Sequence, residues 1–156
     1  MNVNIKKIKL MERLNFSVNI NAPRERVWEV LWSDSSYREW TSIFGEGSYA
    51  ETDNWKEGSK VRFLAQGGEG MLSLISANRP NEYMSFKHLG MIKDGVEDTD
   101  SEEVKKWSGA IESYTLLGNN GSTTLNVEMD STPEHKEYFD KTWPKALDKV
   151  KILSEQ

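Results

Sequence analysis

Two helical patterns stand near opposite ends of this chain, and almost everything between them reads as strand. The first is Ala22-Pro23-Arg24-Glu25-Arg26-Val27-Trp28-Glu29-Val30-Leu31-Trp32, directly behind an alternating segment. The second runs from Pro133 to the C-terminus and contains Phe139-Asp140-Lys141-Thr142-Trp143-Pro144-Lys145-Ala146-Leu147. Helices placed first and last must be buried against a sheet built from the middle of the chain. The order therefore predicts an α+β domain in which a curved antiparallel sheet is closed by a terminal helix, an arrangement that tends to enclose a cavity.

The length of 156 residues fits one domain with a sizeable core. Residues 11–156 are expected to form it. Met1–Leu10 read as a leader, or as an extension of the first strand through Ile5, Ile8 and Leu10. Lys6, Lys7, Lys9 and Arg13 are not followed by an apolar stretch, so the segment does not read as a signal peptide. No run approaches the roughly 18 apolar residues of a membrane span. With 29% charged residues and a net charge of −5, general affinity for nucleic acid or an anionic membrane is not expected. The chain has no cysteine, which rules out disulfides, thiolate nucleophiles and Cys-based zinc sites and is compatible with a cytoplasmic location. The Asn-x-Ser triplets at Asn15 and Asn120 are then read as chance.

Leu14, Phe16, Val18 and Ile20 alternate with Asn15, Ser17 and Asn19, the pattern of a half-buried strand. Pro23 suits a first helical turn, and Val27, Val30 and Leu31 supply an inward stripe. Ser36-x-x-Glu39 reads as a capping box opening a second short helix that carries Trp40. Strands are expected near 46–51, 60–66, 69–78 and 82–89, the last placing Met84, Phe86 and His88 on one face. Residues 91–106 hold Asp94, Glu97, Asp98, Asp100, Glu102 and Glu103 against Lys93, Lys105 and Lys106. They read as a solvated, mobile loop with room for one helical turn near Ser101–Lys106. Strands over 107–117 and 122–130 follow, joined by Gly118-Asn119-Asn120-Gly121, a tight-hairpin signal. In the terminal helix Phe139, Trp143, Ala146, Leu147, Val150 and Leu153 share a stripe. Burial of each large apolar side chain contributes about 1.5–3 kcal/mol, which together outweighs an interior proline. A bend rather than an end is expected at Pro144.

The segments Val18–Trp32 (with Asn-Ala-Pro-x-x-x-Val-Trp), Tyr37–Thr41, Ala110–Met129 and Tyr138–Leu147 (with Trp-Pro-Lys-Ala-Leu) resemble the START-like, Bet v 1-like (SRPBCC) superfamily. Within it the chain is most similar to the group named after the activator of Hsp90 ATPase, from about residue 11 to the end. The resemblance implies the helix-grip fold: a curved antiparallel sheet wrapped round a long C-terminal helix, with two short helices after the first strand. It implies a cavity between sheet and helix. Relatives bind lipids, sterols, hormones or polyketides, some are cyclases or other enzymes, and one branch stimulates a chaperone ATPase. The eukaryotic co-chaperones carry a further N-terminal domain, which a chain of this length is not expected to accommodate.

The expected ligand-binding residues are Phe63, Met84, Phe86, His88, Tyr114, Phe139 and Trp143. His88 would orient a ligand or act as a base, or else be a buried histidine satisfied by backbone or Tyr114. Glu112 shares a strand side with Tyr114 and Leu116. It would pair with His88 if that side is inward, but a rim or outward position is expected, because a one-residue slip reverses the answer. Trp55 reads as an entrance gate or a loop plug. Asp98, Asp100 and Glu102 mimic the start of a calcium loop, yet Glu103 stands where the turn needs glycine and no suitable twelfth ligand follows. His135 is distant in sequence from His88. No cofactor or metal is expected, since nucleotide loops, Ser-His-Asp order and metal-ligand spacings are missing from the sequence. The leading expectation is a binder of a small apolar or amphipathic ligand. The alternatives are a chaperone-activator-like interaction protein and an enzyme of cyclase or hydrolase type using His88 with Glu112.

Overall fold

The computed structural model describes residues 11–156. The expectations for Met1–Leu10 lie outside the described residues. Strand β1 (Glu12–Ile20) leads into helices α1 (Arg24–Trp32) and α2 (Asp34–Thr41). Strands β2 (Tyr49–Glu51), β3 (Lys60–Leu64), β4 (Gly70–Arg79), β5 (Tyr83–Lys93) and β6 (Val96–Asp98) follow. Then come the short helix α3 (Glu102–Lys105), strands β7 (Ile111–Asn119) and β8 (Ser122–Ser131), and helix α4 (Pro133–Ser154). The strands form one antiparallel sheet in the order β1-β8-β7-β5-β4-β3-β2, with β6 also paired to β5. This is the α+β helix-grip arrangement expected from the sequence.

Helix α4 is continuous through Pro144, whose side chain is exposed. Its inward stripe is Trp143, Ala146, Leu147, Val150 and Leu153, packed with Leu14, Val27, Leu31 and Val127 in the main core. Polar ties fix its C-terminal end. Arg26 donates to the Leu153 carbonyl at 3.0 Å, satisfying an acceptor that the last turn leaves open, and Lys151 donates to the Asn19 carbonyl at 3.1 Å. No helix among the described residues is long and apolar enough to cross a membrane.

Two bulges disturb the β4–β5 pairing. The register passes from Leu72↔Gly90 to Ser73↔His88, so Leu89 is the extra residue, and Ser76 is extra between Ile75↔Phe86 and Ala77↔Ser85. A bulge reverses the parity of the strand beyond it. Met84, Phe86 and His88 face the helix side, and beyond the bulge Met91 does so. Leu89 and Ile92 instead join Leu64, Leu72 and Tyr49 in a small cluster on the opposite face.

Several local expectations are corrected. Helix α2 starts at Asp34 rather than Ser36, and the capping box does not form. Asp34 receives the Arg38 guanidinium at 3.0 Å in the first turn, and the Ser36 hydroxyl donates back to the Ser33 carbonyl at 3.2 Å. Residues 91–106 are an ordered hairpin and a helical turn rather than a mobile loop. Asp94 and Gly95 both take positive φ (52° and 77°), the requirement of a two-residue hairpin turn. Asp98 accepts from the backbone N–H of Asp100 and Ser101, and the Ser101 hydroxyl accepts from Val104 N–H at 3.3 Å. The acids that imitate a calcium loop thus include a helix-capping network, with Val104 fully buried behind it. Strand β7 begins at Ile111, because residues 107–110 turn. The hairpin at Asn120 and Gly121 forms as expected, with φ of 51° and 85°.

Candidate functional site

A cavity of about 620 Å³ lies between the sheet, α2 and the N-terminal part of α4. Its walls are largely aromatic. Trp32, Tyr37 and Trp40 come from α1 and α2, Phe63 and Phe86 from the sheet, and Phe139 and Trp143 from α4. These rings support one another: Trp32, Phe86, Trp40 and Trp143 stand with centroids 4.9, 6.2, 6.4 and 6.1 Å from that of Tyr114. Trp143 also stacks on Phe16 at 5.9 Å, which fixes α4 against β1.

One polar network crosses the apolar wall on three adjacent strands. Ser73 on β4 hydrogen-bonds His88 Nδ1 on β5 at 2.7 Å, and His88 Nε2 meets Glu112 Oε1 on β7 at 3.1 Å. The Tyr114 hydroxyl donates to the other carboxylate oxygen of Glu112. Register creates this line: Ser73 pairs with His88, and Phe86 pairs with Glu112. His88 also sits where the sheet edge changes hands. Its N–H donates to the Ala110 carbonyl and its carbonyl accepts from Gly109 N–H, both at 2.8 Å, just beyond the β7 ladder. The backbone at the centre of the network is therefore pinned to the segment that leads into β7.

Burial opposes ionisation of Glu112, but the hydrogen bond from His88, the electrostatic pull of its ring and the Tyr114 hydroxyl outweigh it. The carboxyl is held below its ordinary value of 4.5. Tyr114 is pushed well up, first by burial and then by the Glu112 charge. Tyr37 is pushed up for the same two reasons. Both phenols therefore stay protonated and able to donate at neutral pH.

Of the residues singled out from sequence, Phe63, Phe86, His88, Tyr114, Phe139 and Trp143 line the cavity. Met84 does not; it is fully buried in the main core. Glu112 lines the cavity, which corrects the expected rim or outward position: the β7 register turns it to the same side as Tyr114. The His88 partners are Ser73 and Glu112 rather than backbone groups or Tyr114. Trp55 is outside the lining. Its ring packs on Trp32 at 5.5 Å and its carbonyl accepts from Asn78, the position of a plug. His135 is brought to the same cavity as His88 despite the sequence distance, with Thr132 on its Nδ1 at 2.8 Å. Tyr37 and Trp40 were not singled out. The clue to them was their shared apolar side of α2 at i, i+3 spacing. Among the described residues no cluster of three or more His, Asp or Glu side chains is placed to hold a metal ion.

No protein-family model matches the sequence, and no curated protein matches it. Solved structures do match. An Aha1 protein from Colwellia psychrerythraea, determined as a dimer, superposes with a TM-score of 0.68 at 18% identity, covering 92% of this chain and 96% of that one. A protein from Mesorhizobium loti gives 0.66 at 17% identity over 91% and 96% of the two chains. CalU16 from Micromonospora echinospora gives 0.61 at 16% identity over 94% and 77%. Sheet order, helix placement and these superpositions agree: the chain has the helix-grip fold of these solved structures.

Proposed function

We propose that this protein binds a small amphipathic ligand between its sheet and its C-terminal helix. The observation that carries the reading is the cavity of about 620 Å³, whose mostly apolar wall is crossed by one hydrogen-bonded network. That volume falls within the range of small-molecule sites, and aromatic walls with a few fixed polar groups are their usual construction. His88 is a positioning residue in this reading. Both of its nitrogens are occupied, by Ser73 and Glu112, so it aligns the carboxylate and leaves the ligand contact to Glu112. Trp32, Trp40, Trp107 and Trp143 line the cavity and give an intrinsic reporter. Native mass spectrometry of freshly purified protein is expected to show a bound small molecule, and tryptophan emission is expected to shift saturably with amphiphiles. An empty protein whose emission does not respond to any amphiphile would overturn the reading.

A second reading is supported by the His88–Glu112 contact itself. A histidine and a carboxylate in hydrogen-bond contact on one cavity wall could move a proton in a cyclase- or hydrolase-type reaction. Turnover of a cavity-sized substrate that falls at least ~100-fold in Glu112→Gln would favour it. The fold shared with the Colwellia Aha1 protein supports an interaction role with a chaperone, tested by the ATPase rate of Hsp90 with the protein added.

A further inference from the structure

We infer that the cavity selects an amphipathic cation, an apolar body carrying a protonated or quaternary amine, over a carboxylate or phosphate of the same shape; this rests on the ligand-binding reading above. No Lys or Arg is among the described lining residues. The charged side chains reaching the cavity are Glu69, Glu103, Glu112 and Asp130. Glu69 and Glu103 are exposed. Asp130 is committed to Arg13 at 2.7 Å and to Ile111 N–H at 2.9 Å. Glu112 is the carboxylate set into the wall, its side chain 20% exposed.

Both ring nitrogens of His88 are taken, Nδ1 by the Ser73 hydroxyl and Nε2 by Glu112, so the ring has no free donor to offer an anion. Glu112 is then the charge on this wall that a ligand meets. An anion brought into this space would meet that like charge with no Lys or Arg in the described lining to compensate it, a combination that buried sites do not tolerate.

A phenol also reaches the space: Tyr37, 8% exposed, lines the cavity, and its hydroxyl has no hydrogen-bond partner among the described residues. It can meet the polar end of a ligand, close enough to Glu112 to feel that charge. Trp40, Phe63, Phe86 and Trp143 line the same cavity, and ring quadrupoles attract cations most strongly where water is excluded.

The test uses ligands with one common tail: decyltrimethylammonium, decylamine, decanol and decanoate, each below its aggregation concentration. They are titrated at neutral pH into the wild-type protein and Glu112→Gln, with tryptophan emission and calorimetry as readouts. The cations are expected to bind at least ~10-fold more tightly than decanol and more tightly still than decanoate. Glu112→Gln is expected to bring the cations to within about threefold of decanol. Decanoate binding as tightly as the cations, or cations no better than decanol, overturns the inference while leaving the cavity a binding site. Binding of none of the probes overturns both. The wild-type series decides the question even if the variant fails to fold.

Discussion

His88 and Glu112 lie on adjacent strands, β5 and β7, and join at 3.1 Å on the cavity wall, with the other histidine nitrogen held by Ser73 and the other carboxylate oxygen by Tyr114. His88 has a partner on each ring nitrogen, so its removal leaves two buried groups, Ser73 and Glu112, each short of a partner. His88→Ala is expected to cost about 1–3 kcal/mol, the usual penalty for stranding buried polar atoms. Urea unfolding checks it, as a lower midpoint with an unchanged slope.

Acid should act through the same line. The folded-state value of Glu112 lies below its ordinary 4.5, so its contribution is complete above that pH and is lost as pH falls through the lowered value. Urea midpoints measured from neutral pH downward should fall below about pH 4.5 in the wild type. Glu112→Gln should start lower at neutral pH and show a shallower acid limb; equal slopes would remove Glu112 from the explanation.

Pro144 lies inside α4 with its ring exposed, and it cannot donate to the carbonyl one turn back. Pro144→Ala restores that donor and relieves the ring clash, against some entropy gained by the unfolded chain. The expected result is stabilisation by about 1–2 kcal/mol, read as a higher melting temperature.

Gly90 is buried, and a Cβ there would overlap the Asp98 carbonyl on β6. Gly90→Ala should therefore push the β6 hairpin and α3 off β5 while leaving the β7–β8 hairpin intact. Limited proteolysis is expected to cut faster between residues 94 and 106 than in the wild type, with stability lower by about 1–3 kcal/mol.

Much of the scaffold could be read from pattern alone. Alternation places β1, Asn120-Gly121 marks the last hairpin, and helical spacing from Trp143 to Leu153 identifies the covering face of α4. The acidic 91–106 segment misled because charge density there obscures Asp94-Gly95, a turn signal of the same kind. The direction of Glu112 depends on pairing register, which alternation within one strand does not set. His135 reaches the cavity through the start of α4, so sequence spacing carries little sign of it.

Leu89 has one more consequence. Because a single additional residue swaps the sides of everything after it, an ungapped alignment of this strand with a cousin lacking it would assign the wrong half of the later side chains to the interior. Transplanting the Ser73–His88–Glu112 arrangement into another protein of this shape therefore means carrying the irregularity along with the three side chains.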